Sequence, residues 1–371
     1  MLKQVTVEDI QPIAIGAGIL GTGGGGNPYL GSLHLRSVLE EYGPQPVLDP
    51  RQVPDDACLV VCGNIGAPTV SIEKIPQGRE MAEAIVQLQN HVGRKFDAAV
   101  IAEIGGANSM QPLIAGRQLG IPTVDADGMG RAFPEIQMSA FVFEGDISAA
   151  PYAIVDVAHR FALVPQAATE KWGERVARNI AISMGARGAM AGYVMNGVQL
   201  RSTAIKYTLS LARQLGRAVL NSQGDDVPAV VAERLQGKII FRGKINDVNR
   251  RIVRGFARGN LTCVAFDGVD ELKIAFQNEY LIAWLNGEVV ATVPDLICIV
   301  TAETGEPVST EMLRYGTRVV VIAVPAPAEL CTKAALAAVG PTAFGYDVPW
   351  RPLPGGRIGL PVTESRNGQQ T

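Results

Sequence analysis

The sequence has no excess of charge of either sign. Its 371 residues include 33 Lys and Arg and 36 Asp and Glu, which gives a net charge of -3 at pH 7. A strongly basic chain is drawn to nucleic acid or to an anionic membrane surface, and this balance supplies no such attraction. The basic stretch from Arg242 to Arg258 contains few aromatic residues and is more typical of a solvated pair of strands or of a contribution to a small anionic site. We therefore expect no nucleic acid and no membrane among the partners, and we expect any anion site to be local.

A hydrophobic run typical of a membrane span or a signal peptide is missing as well. Residues 10–33 contain no Lys, Arg, Asp or Glu, but eight of them are Gly, and Pro12 and Pro28 interrupt the run. Glu8 and Asp9 precede it, at the place where a signal peptide carries positive charge. We therefore expect the chain to be cytoplasmic.

Histidine is scarce, and the three histidines share no metal-ligand spacing. This gives no support to a zinc site of the clustered type, so we expect no cofactor, although a divalent ion bound by carboxylates alone stays open. The five cysteines are odd in number and mostly lie in apolar, strand-like runs, which favours reduced thiols in a reducing compartment over a disulfide framework. Cys62 is a candidate nucleophile, but no histidine is close in sequence to activate it.

Short apolar runs alternate with amphipathic helical patterns in the first half of the chain. Residues 58–63 predict a buried strand, residues 79–91 a helix and residues 98–102 the next strand. A second helix at 110–119 and a strand at 121–124 follow. This order is typical of a largely parallel sheet with flanking helices.

The second half has a different texture. Two helical patterns, at 170–184 and 202–219, precede a succession of short strands rich in Val and Ile that begins near residue 238. This predicts a mixed domain of helices and mainly antiparallel strands. A chain of this length is expected to form two domains. We predict an α/β plus α+β fold with an N-terminal domain over 1–165, a C-terminal domain over 166–360 and a polar tail over 361–371.

Three loops that combine glycines with polar residues follow the predicted strands of the first half, at 63–68, 103–108 and 125–131. In open parallel sheets, ligands bind in the crevice at the carboxyl ends of the strands. We therefore expect one ligand site there, which includes Asn64, Glu103, Asn108 and the residues of the third loop.

The third loop contains two acids and a base, Asp125, Asp127 and Arg131. Two carboxylates two residues apart at a strand end crowd like charge unless a cation, a catalytic role or Arg131 relieves it. The simpler alternative is that Arg131 pairs with one of them. Glu103 has a comparable alternative as a loop carboxylate that accepts hydrogen bonds from backbone amides.

A glycine-rich segment at residues 16–28 precedes all of these loops. Its opening residues satisfy the pattern GxGxxG, but a dinucleotide fingerprint needs a helix that begins within the glycines, and the run of glycines followed by Asn27-Pro28 disfavours one. Consecutive glycines are costly in chain entropy, so the run predicts close approach of a ligand or a row of anion-binding amides, with a flexible connection as the alternative. The residues concerned are Gly23, Gly24, Gly25, Gly26 and Asn27.

Ordered motifs over residues 8–353 resemble the S-methyl thiohydantoin desulfurase family, formerly a domain of unknown function. The N-terminal motifs are GILGTGGGGNPYLG, GNIGAPTVSIEK, EIGGANS and VDADGMGRAFPEIQM, and the C-terminal motifs are GKINDVNRR, GFARG, QNEYLIA, VPDLICIV and LRYGTRV. The family is similar to hydantoinase and oxoprolinase proteins in its chemistry and in its neighbouring genes. The resemblance implies a hydrolase of small cyclic ureide-like compounds, in which water replaces methanethiol on an S-methylated thiohydantoin propionate.

The implied reaction needs a base for the water, donors for charge that develops on the ring, and an acid for the leaving thiol. We assign the base to Asp127 or Asp125 and the other acid–base role to Glu103. Arg131 is expected to bind a substrate carboxylate with its planar fork of donors. The donors to the ring are expected among Asn64, Asn108 and the amides of Gly23, Gly24, Gly25 and Gly26, with Asn27 in the same substrate-binding set.

Two other functions stay open. A non-catalytic or accessory subunit of a hydantoinase- or oxoprolinase-type system would use the same pocket without needing both aspartates. A nucleotide- or phosphate-binding enzyme would use the glycine-rich loop instead. Beyond a small-molecule substrate, a homo-oligomer and a hydantoinase- or oxoprolinase-type partner also stay open.

Overall fold

The structure, a computed structural model, describes residues 2–66, 70, 74–222 and 226–353. The end of the first predicted loop and the predicted polar tail lie outside the described residues. The described residues form two β-sheets, one of nine and one of seven strands, with helices around them. The predicted fold class is confirmed: the first sheet has a parallel centre and flanking helices, and the second is antiparallel.

The strands and helices have the following bounds. The first sheet contains β1 Gln4–Val5, β2 Gln45–Leu48, β3 Leu59–Gly66, β4 Ala98–Ile101, β5 Thr123–Asp127, β6 Tyr152–Val155, β7 Phe161–Val164, β8 Arg187–Met195 and β9 Ile205–Lys206. The second contains β10 Lys238–Val253, β11 Phe256–Ala265, β12 Glu271–Gln277, β13 Glu279–Leu285, β14 Glu288–Thr292, β15 Leu296–Thr301 and β16 Arg318–Val324. The α-helices are α1 Ile10–Leu20, α2 Pro28–Tyr42, α3 Glu80–Val92, α4 Gln111–Leu119, α5 Ala140–Phe143, α6 Glu170–Ser183, α7 Gly197–Thr203, α8 Thr208–Asn221, α9 Val227–Arg234 and α10 Lys333–Val339.

The first sheet has the strand order β1-β2-β5-β4-β3-β8-β6-β7, and β9 pairs with β5. Its centre, β2-β5-β4-β3, is parallel, and the strands that extend it on both sides are antiparallel. The two predicted strand–helix–strand units, β3-α3-β4 and β4-α4-β5, therefore place three carboxyl ends at one edge. Strand β8, which follows the predicted domain limit at 165, pairs with β3 and β6 of this sheet. The division into domains stays a prediction.

Helix ends follow the glycine signals in the sequence. Helix α4 ends at Gly120, which adopts the left-handed conformation with φ 72° that glycine takes without strain. The helix predicted over 202–219 is interrupted, because residues 205–206 are extended and pair with β5. Both flanking helices keep apolar residues on one face, so the helical period of the sequence could not reveal the break.

Two glycines allow helix α1 to pack closely on α8. A Cβ atom on Gly16 would lie 1.8 Å from the carbonyl oxygen of Ala212, and one on Gly216 would lie 1.8 Å from that of Pro12. Gly16 and Gly18 thus lie inside α1, and the rest of the glycine run connects α1 to α2. No strand leads directly into these glycines, so the GxGxxG pattern here does not form a dinucleotide-binding turn.

The second sheet has the order β14-β13-β12-β11-β10-β16-β15, with every pair antiparallel. The β12–β13 turn at Asn278 packs against the glycine run, and the amide of Tyr280 donates to the carbonyl of Thr22 at 2.8 Å. One end of the antiparallel sheet therefore contacts the loop between α1 and α2. Within the described residues, no helix is both long enough and apolar enough to cross a membrane.

Candidate functional site

A cavity lies at the carboxyl ends of β3 and β4. It encloses about 1150 Å³ of empty space, part of which is open to solvent. Its walls come from the start of α2, from α6, from β8 and from the β12–β13 turn. Six of the residues predicted from the sequence line it together: Gly25, Gly26, Asn27, Asn64, Glu103 and Asn108.

A chain of hydrogen bonds links the first two predicted loops. The side-chain oxygen of Asn108 accepts hydrogen bonds from the backbone amide and the side-chain amide of Asn64, each at 2.9 Å. This leaves Nδ2 of Asn108 to donate to Oε1 of Glu103 at 2.6 Å. Because a backbone amide can only donate, the orientation of the Asn108 amide is fixed, and Asn108 presents a donor to Glu103.

Backbone contacts with the glycine run hold this loop in place. The amides of Ala107 and Asn108 donate to the carbonyls of Gly26 and Gly25, at 3.2 and 3.1 Å. A Cβ atom on Gly25 would lie 2.2 Å from the carbonyl carbon of Gly105, so only glycine permits this approach. The glycine run therefore brings the loop after β4 against the start of α2, and its role in this contact is structural.

Glu103 is 6% exposed and faces the cavity. Burial raises its pKa to about 7, against the opposing effects of its hydrogen bonds from Asn108 and Phe133 and of the nearby Arg131 and Arg178. The amide of Phe133 donates to Oε2 at 3.1 Å, so both carboxylate oxygens are oriented. A carboxyl group with this pKa exchanges its proton near neutral pH, as an acid–base catalyst requires.

A second acid, Glu279, lines the same cavity and is not among the residues predicted from the sequence. It begins β13, is 2% exposed, and its Oε2 has no hydrogen-bond partner within the described residues. Burial raises its pKa well above the usual value, and the negative charge of Glu103 raises it further. The motif QNEYLIA contains this residue, but an acid at a hairpin turn before an apolar strand gives no signal that it faces a site formed by another sheet.

Two arginines complete the charged lining. Arg178 of α6 pairs with Glu174 at 2.7 Å, donates to the carbonyl of Pro134 at 2.8 Å and lies over the ring of Phe256. The side chain of Arg187, at the start of β8, donates to the carbonyl of Lys74 at 3.3 Å, the one side-chain hydrogen bond of this residue within the described part of the chain. Burial lowers the pKa of Arg187. Neither arginine stands out in the sequence, because each follows an ordinary helical or strand pattern.

The two aspartates of the third predicted loop lie outside the cavity lining. Asp125 caps the first turn of α8, where Oδ1 accepts from the amide of Ser210 at 3.1 Å and Oδ2 from its hydroxyl at 2.5 Å. Asp127 accepts three backbone amides on Oδ2, from Ile104, Met129 and Gly130, at 2.8 to 3.1 Å. Both side chains therefore organise loops.

Burial raises the pKa of both aspartates, to about 7 for Asp127. Oδ1 of Asp127 has no hydrogen-bond partner of acceptable geometry within the described residues, although Thr208 is near enough to lower its pKa. A raised pKa alone therefore does not distinguish these acids from Glu103.

Arg131 is fully buried and joins the two sheets. Its guanidinium donates to the carbonyls of Asp295 and Tyr280, at 2.8 and 2.9 Å, and to the hydroxyl of Thr22 at 2.8 Å. Its other bonds go to the carbonyls of Ala132 and Pro294. These contacts provide neither the predicted fork for a substrate carboxylate nor the alternative pairing with Asp125 or Asp127.

Gly23 and Gly24 are also absent from the cavity lining. The carbonyl of Gly23 accepts from the amide of Thr310, and the amide of Gly24 donates to the carbonyl of Gly21, both at 2.9 Å. The predicted donor role thus has geometric support only at Gly25 and Gly26. Within the part of the chain that the structure describes, no group of three or more His, Cys, Asp or Glu residues could hold a metal ion.

Two family models match the chain. The model described as S-Me-THD-like, N-terminal domain, matches residues 8–166, and the S-Me-THD-like, C-terminal domain, matches residues 168–353. No curated protein matches. An X-ray crystal structure of a protein from Chromobacterium violaceum is similar, with a TM-score of 0.82, 23% sequence identity, and coverage of 95% of this chain and 100% of that chain. At this level of identity, the likeness concerns the fold alone.

Proposed function

Because the chain belongs to the S-methyl thiohydantoin desulfurase family, we propose that it is a hydrolase of small cyclic ureide-like compounds. The leading substrate class is an S-methylated thiohydantoin, in which water replaces methanethiol on a ring carbon. The observation that carries this proposal is Glu103. It is a buried carboxyl group at a cavity wall, oriented by Asn108 and Phe133, with a pKa of about 7.

In this proposal Glu103 is the general base. It takes a proton from a water molecule as the water oxygen bonds to the ring carbon that bears the S-methyl group. Asn64 and the amides of Gly25 and Gly26 are near enough to the cavity to donate to ring nitrogen and oxygen, where negative charge develops. Asn108 positions Glu103 and is itself occupied by Asn64 and Glu103.

We assign the general base to Glu103 instead of Asp127 or Asp125. The hydrogen bonds of the two aspartates are directed to α8 and to the loops after β4 and β5. For a related reason, we assign binding of the substrate carboxylate to Arg187 instead of Arg131. The Arg131 side chain donates to four carbonyl oxygens at 2.8 to 3.3 Å, whereas that of Arg187 lines the cavity and makes one hydrogen bond, of 3.3 Å, within the described residues. A guanidinium with donors to spare suits the propionate group of the substrate.

The experiment is to incubate the purified protein with S-methyl thiohydantoin propionate in water labelled with ¹⁸O. The expected result is one methanethiol per hydantoin formed, with the label in the new carbonyl group. The Glu103→Gln variant serves as the matched control, because it keeps the size of the side chain and removes its basicity. Binding of the compound with no thiol release would contradict the hydrolase and support the accessory-subunit function instead.

A further inference from the structure

We propose that Glu279 is a second catalytic residue, the acid that protonates the sulfur as methanethiol leaves. This inference rests on the proposed function and adds to it a residue from the antiparallel sheet. Glu103 and Glu279 line one cavity from opposite sheets, since Glu103 follows β4 and Glu279 begins β13. A substrate between them could meet a base on one side and an acid on the other.

The contacts of Glu279 are those of a carboxyl group that keeps its proton. Glu279 is 2% exposed, and its Oε2 has no hydrogen-bond partner within the described residues. A buried carboxylate without partners is strongly disfavoured, whereas a protonated acid in the same place has a donor ready for a ligand. Oε2 itself is enclosed by protein, but Glu279 as a residue lines the cavity, so a substrate bound there can contact its side chain.

The charges around Glu279 act in opposite directions, and burial decides the outcome. Glu103, after β4, is the like charge that opposes its ionisation. Arg131, after β5, and Arg178, on α6, favour ionisation, but burial outweighs both and the pKa of Glu279 stays well above its usual value. Two carboxyl groups that share a site oppose each other's ionisation. Glu103 accepts two hydrogen bonds, which favour its ionised form, so Glu279 is the group that keeps its proton.

The glycine run places Glu279 at the cavity. A Cβ atom on Gly24 would lie 2.0 Å from Oε1 of Glu279, so any side chain there would displace the acid. On the neighbouring residue, Gly25, the missing side chain makes room for Gly105 in the loop that carries Glu103. The consecutive glycines therefore let Glu279 and the loop that carries Glu103 pack against neighbouring residues of the same segment.

The proposed step balances in atoms and charge. As the C–O bond forms, Glu103 takes one proton of the water and passes it to the ring nitrogen. The C–S bond then breaks with its electron pair on sulfur, and sulfur takes the proton of Glu279. The remaining hydroxyl proton replaces it on Glu279 as the carbonyl group forms, so both acids return to their starting states.

The test compares two leaving groups in the Glu279→Gln variant, which cannot release a proton. Thiol release is measured with the S-methyl substrate and with an S-(4-nitrophenyl) analogue, whose thiolate needs no protonation. We expect a loss of about a hundredfold or more with the S-methyl substrate and less than about tenfold with the analogue. The Glu103→Gln variant should lose similar factors with both compounds, because the base acts before the thiol leaves.

Glu311→Gln is the matched control. Glu311 is an equally buried acid of the same half of the chain, 4% exposed with a pKa raised by burial, and it does not line the cavity. It should keep wild-type rates with both compounds. Equal losses of Glu279→Gln with both leaving groups, or no loss with either, would overturn the acid role while the hydrolase proposal stands. A wild type that releases no thiol from either compound would remove both proposals.

If Glu279→Gln does not fold, the pH profile of the wild-type rate of thiol release tests the acid role of Glu279. With the S-methyl substrate the rate should fall at high pH, where Glu279 loses its proton, and with the nitrophenyl analogue this alkaline limb should be absent. The same alkaline limb with both compounds would count against Glu279.

Discussion

The carboxyl ends of β4 and β5 both carry buried acids, and the two regions use them differently. Asp125 and Asp127, at the end of β5, accept hydrogen bonds that hold a helix and two loops. Glu103, after β4, accepts two hydrogen bonds and faces a cavity that it shares with Glu279.

This difference shows which property identifies a chemical site. Burial raises the pKa of all four acids, and each pair contains a buried oxygen without a hydrogen-bond partner of acceptable geometry within the described residues, on Asp127 and on Glu279. Burial and a shifted pKa therefore do not distinguish the acids that hold a helix and loops from the acids proposed to be catalytic. What separates the pairs is contact with the cavity, which Glu103 and Glu279 line and the two aspartates do not.

The largest expected difference between the acids after β4 and those of β5 is in their effect on turnover. Glu103→Gln should lower kcat for thiol release by roughly a hundredfold to ten-thousandfold, because it removes general base catalysis. Asp127→Asn should stay within about tenfold of the wild type, since the asparagine oxygen can still accept the three amides. The measurement is kcat for both variants, with circular dichroism as the control for folding. A loss of kcat in Asp127→Asn as large as that in Glu103→Gln would indicate that the base lies at the end of β5.

Stability should show the opposite order. Asp127→Ala leaves the amides of Ile104, Met129 and Gly130 without their acceptor, and an unpaired buried donor costs about 1–3 kcal/mol. We expect a loss of roughly 3 kcal/mol or more in the free energy of unfolding, measured in urea. Glu103→Ala should lose clearly less, because it leaves two donors rather than three without an acceptor, and both belong to residues that line the cavity, Asn108 and Phe133. Equal losses would mean that Glu103 is as structural as Asp127.

Replacement of Arg187 by Met should affect binding more than turnover. A charge-assisted hydrogen bond contributes about 1.5–3 kcal/mol, so KM for the propionate substrate should rise roughly tenfold to a hundredfold. The matched measurement uses an analogue in which a methyl group replaces the propionate, and its KM should hardly change. A rise in KM for both compounds would remove Arg187 from recognition of the carboxylate.

The smallest effect is the dependence of stability on pH. The folded pKa of Glu103 is about 7 and its usual value is 4.5, so the folded state binds more protons than the unfolded state between these values. The contribution of Glu103 to stability is complete below about pH 4.5 and is lost as the pH rises through 7. The unfolding free energy of Glu103→Gln should therefore rise relative to the wild type from pH 5 to pH 7, and Asp127→Asn should behave similarly.

The pH dependence of activity should distinguish Glu103 from Asp127 over the same pH range. Because the base must be ionised, kcat/KM of the wild type should rise with pH through about 7. Asp127→Asn should keep this acid limb. Loss of the acid limb in Asp127→Asn would contradict the division between the two regions.

Much of the fold and part of the site could be predicted from the sequence. The alternation of strands and helices predicted the parallel centre of the first sheet, and it placed Asn64, Glu103 and Asn108 at one edge. This worked because consecutive units of one kind add parallel strands, whose carboxyl ends meet.

The rest depends on contacts that no local pattern encodes. Glu279 reaches the cavity from the other sheet, and the role of Asp125 as a cap depends on where α8 begins. Arg131 meets carbonyls from residues far along the chain, such as Asp295. Each of these facts follows from how distant segments pack, so sequence spacing alone could not show that the two aspartates and Arg131 lie outside the cavity lining.

The most direct test is a crystal structure of the wild-type protein with the hydantoin propionate product bound. We predict that the ring lies between Glu103 and Glu279, with a carboxyl oxygen of Glu103 within about 2.6–3.2 Å of the ring carbonyl formed from water. The propionate should extend toward Arg187. A product bound in the cavity but out of hydrogen-bond reach of both glutamates, or bound beside Asp125 and Asp127, would contradict the account.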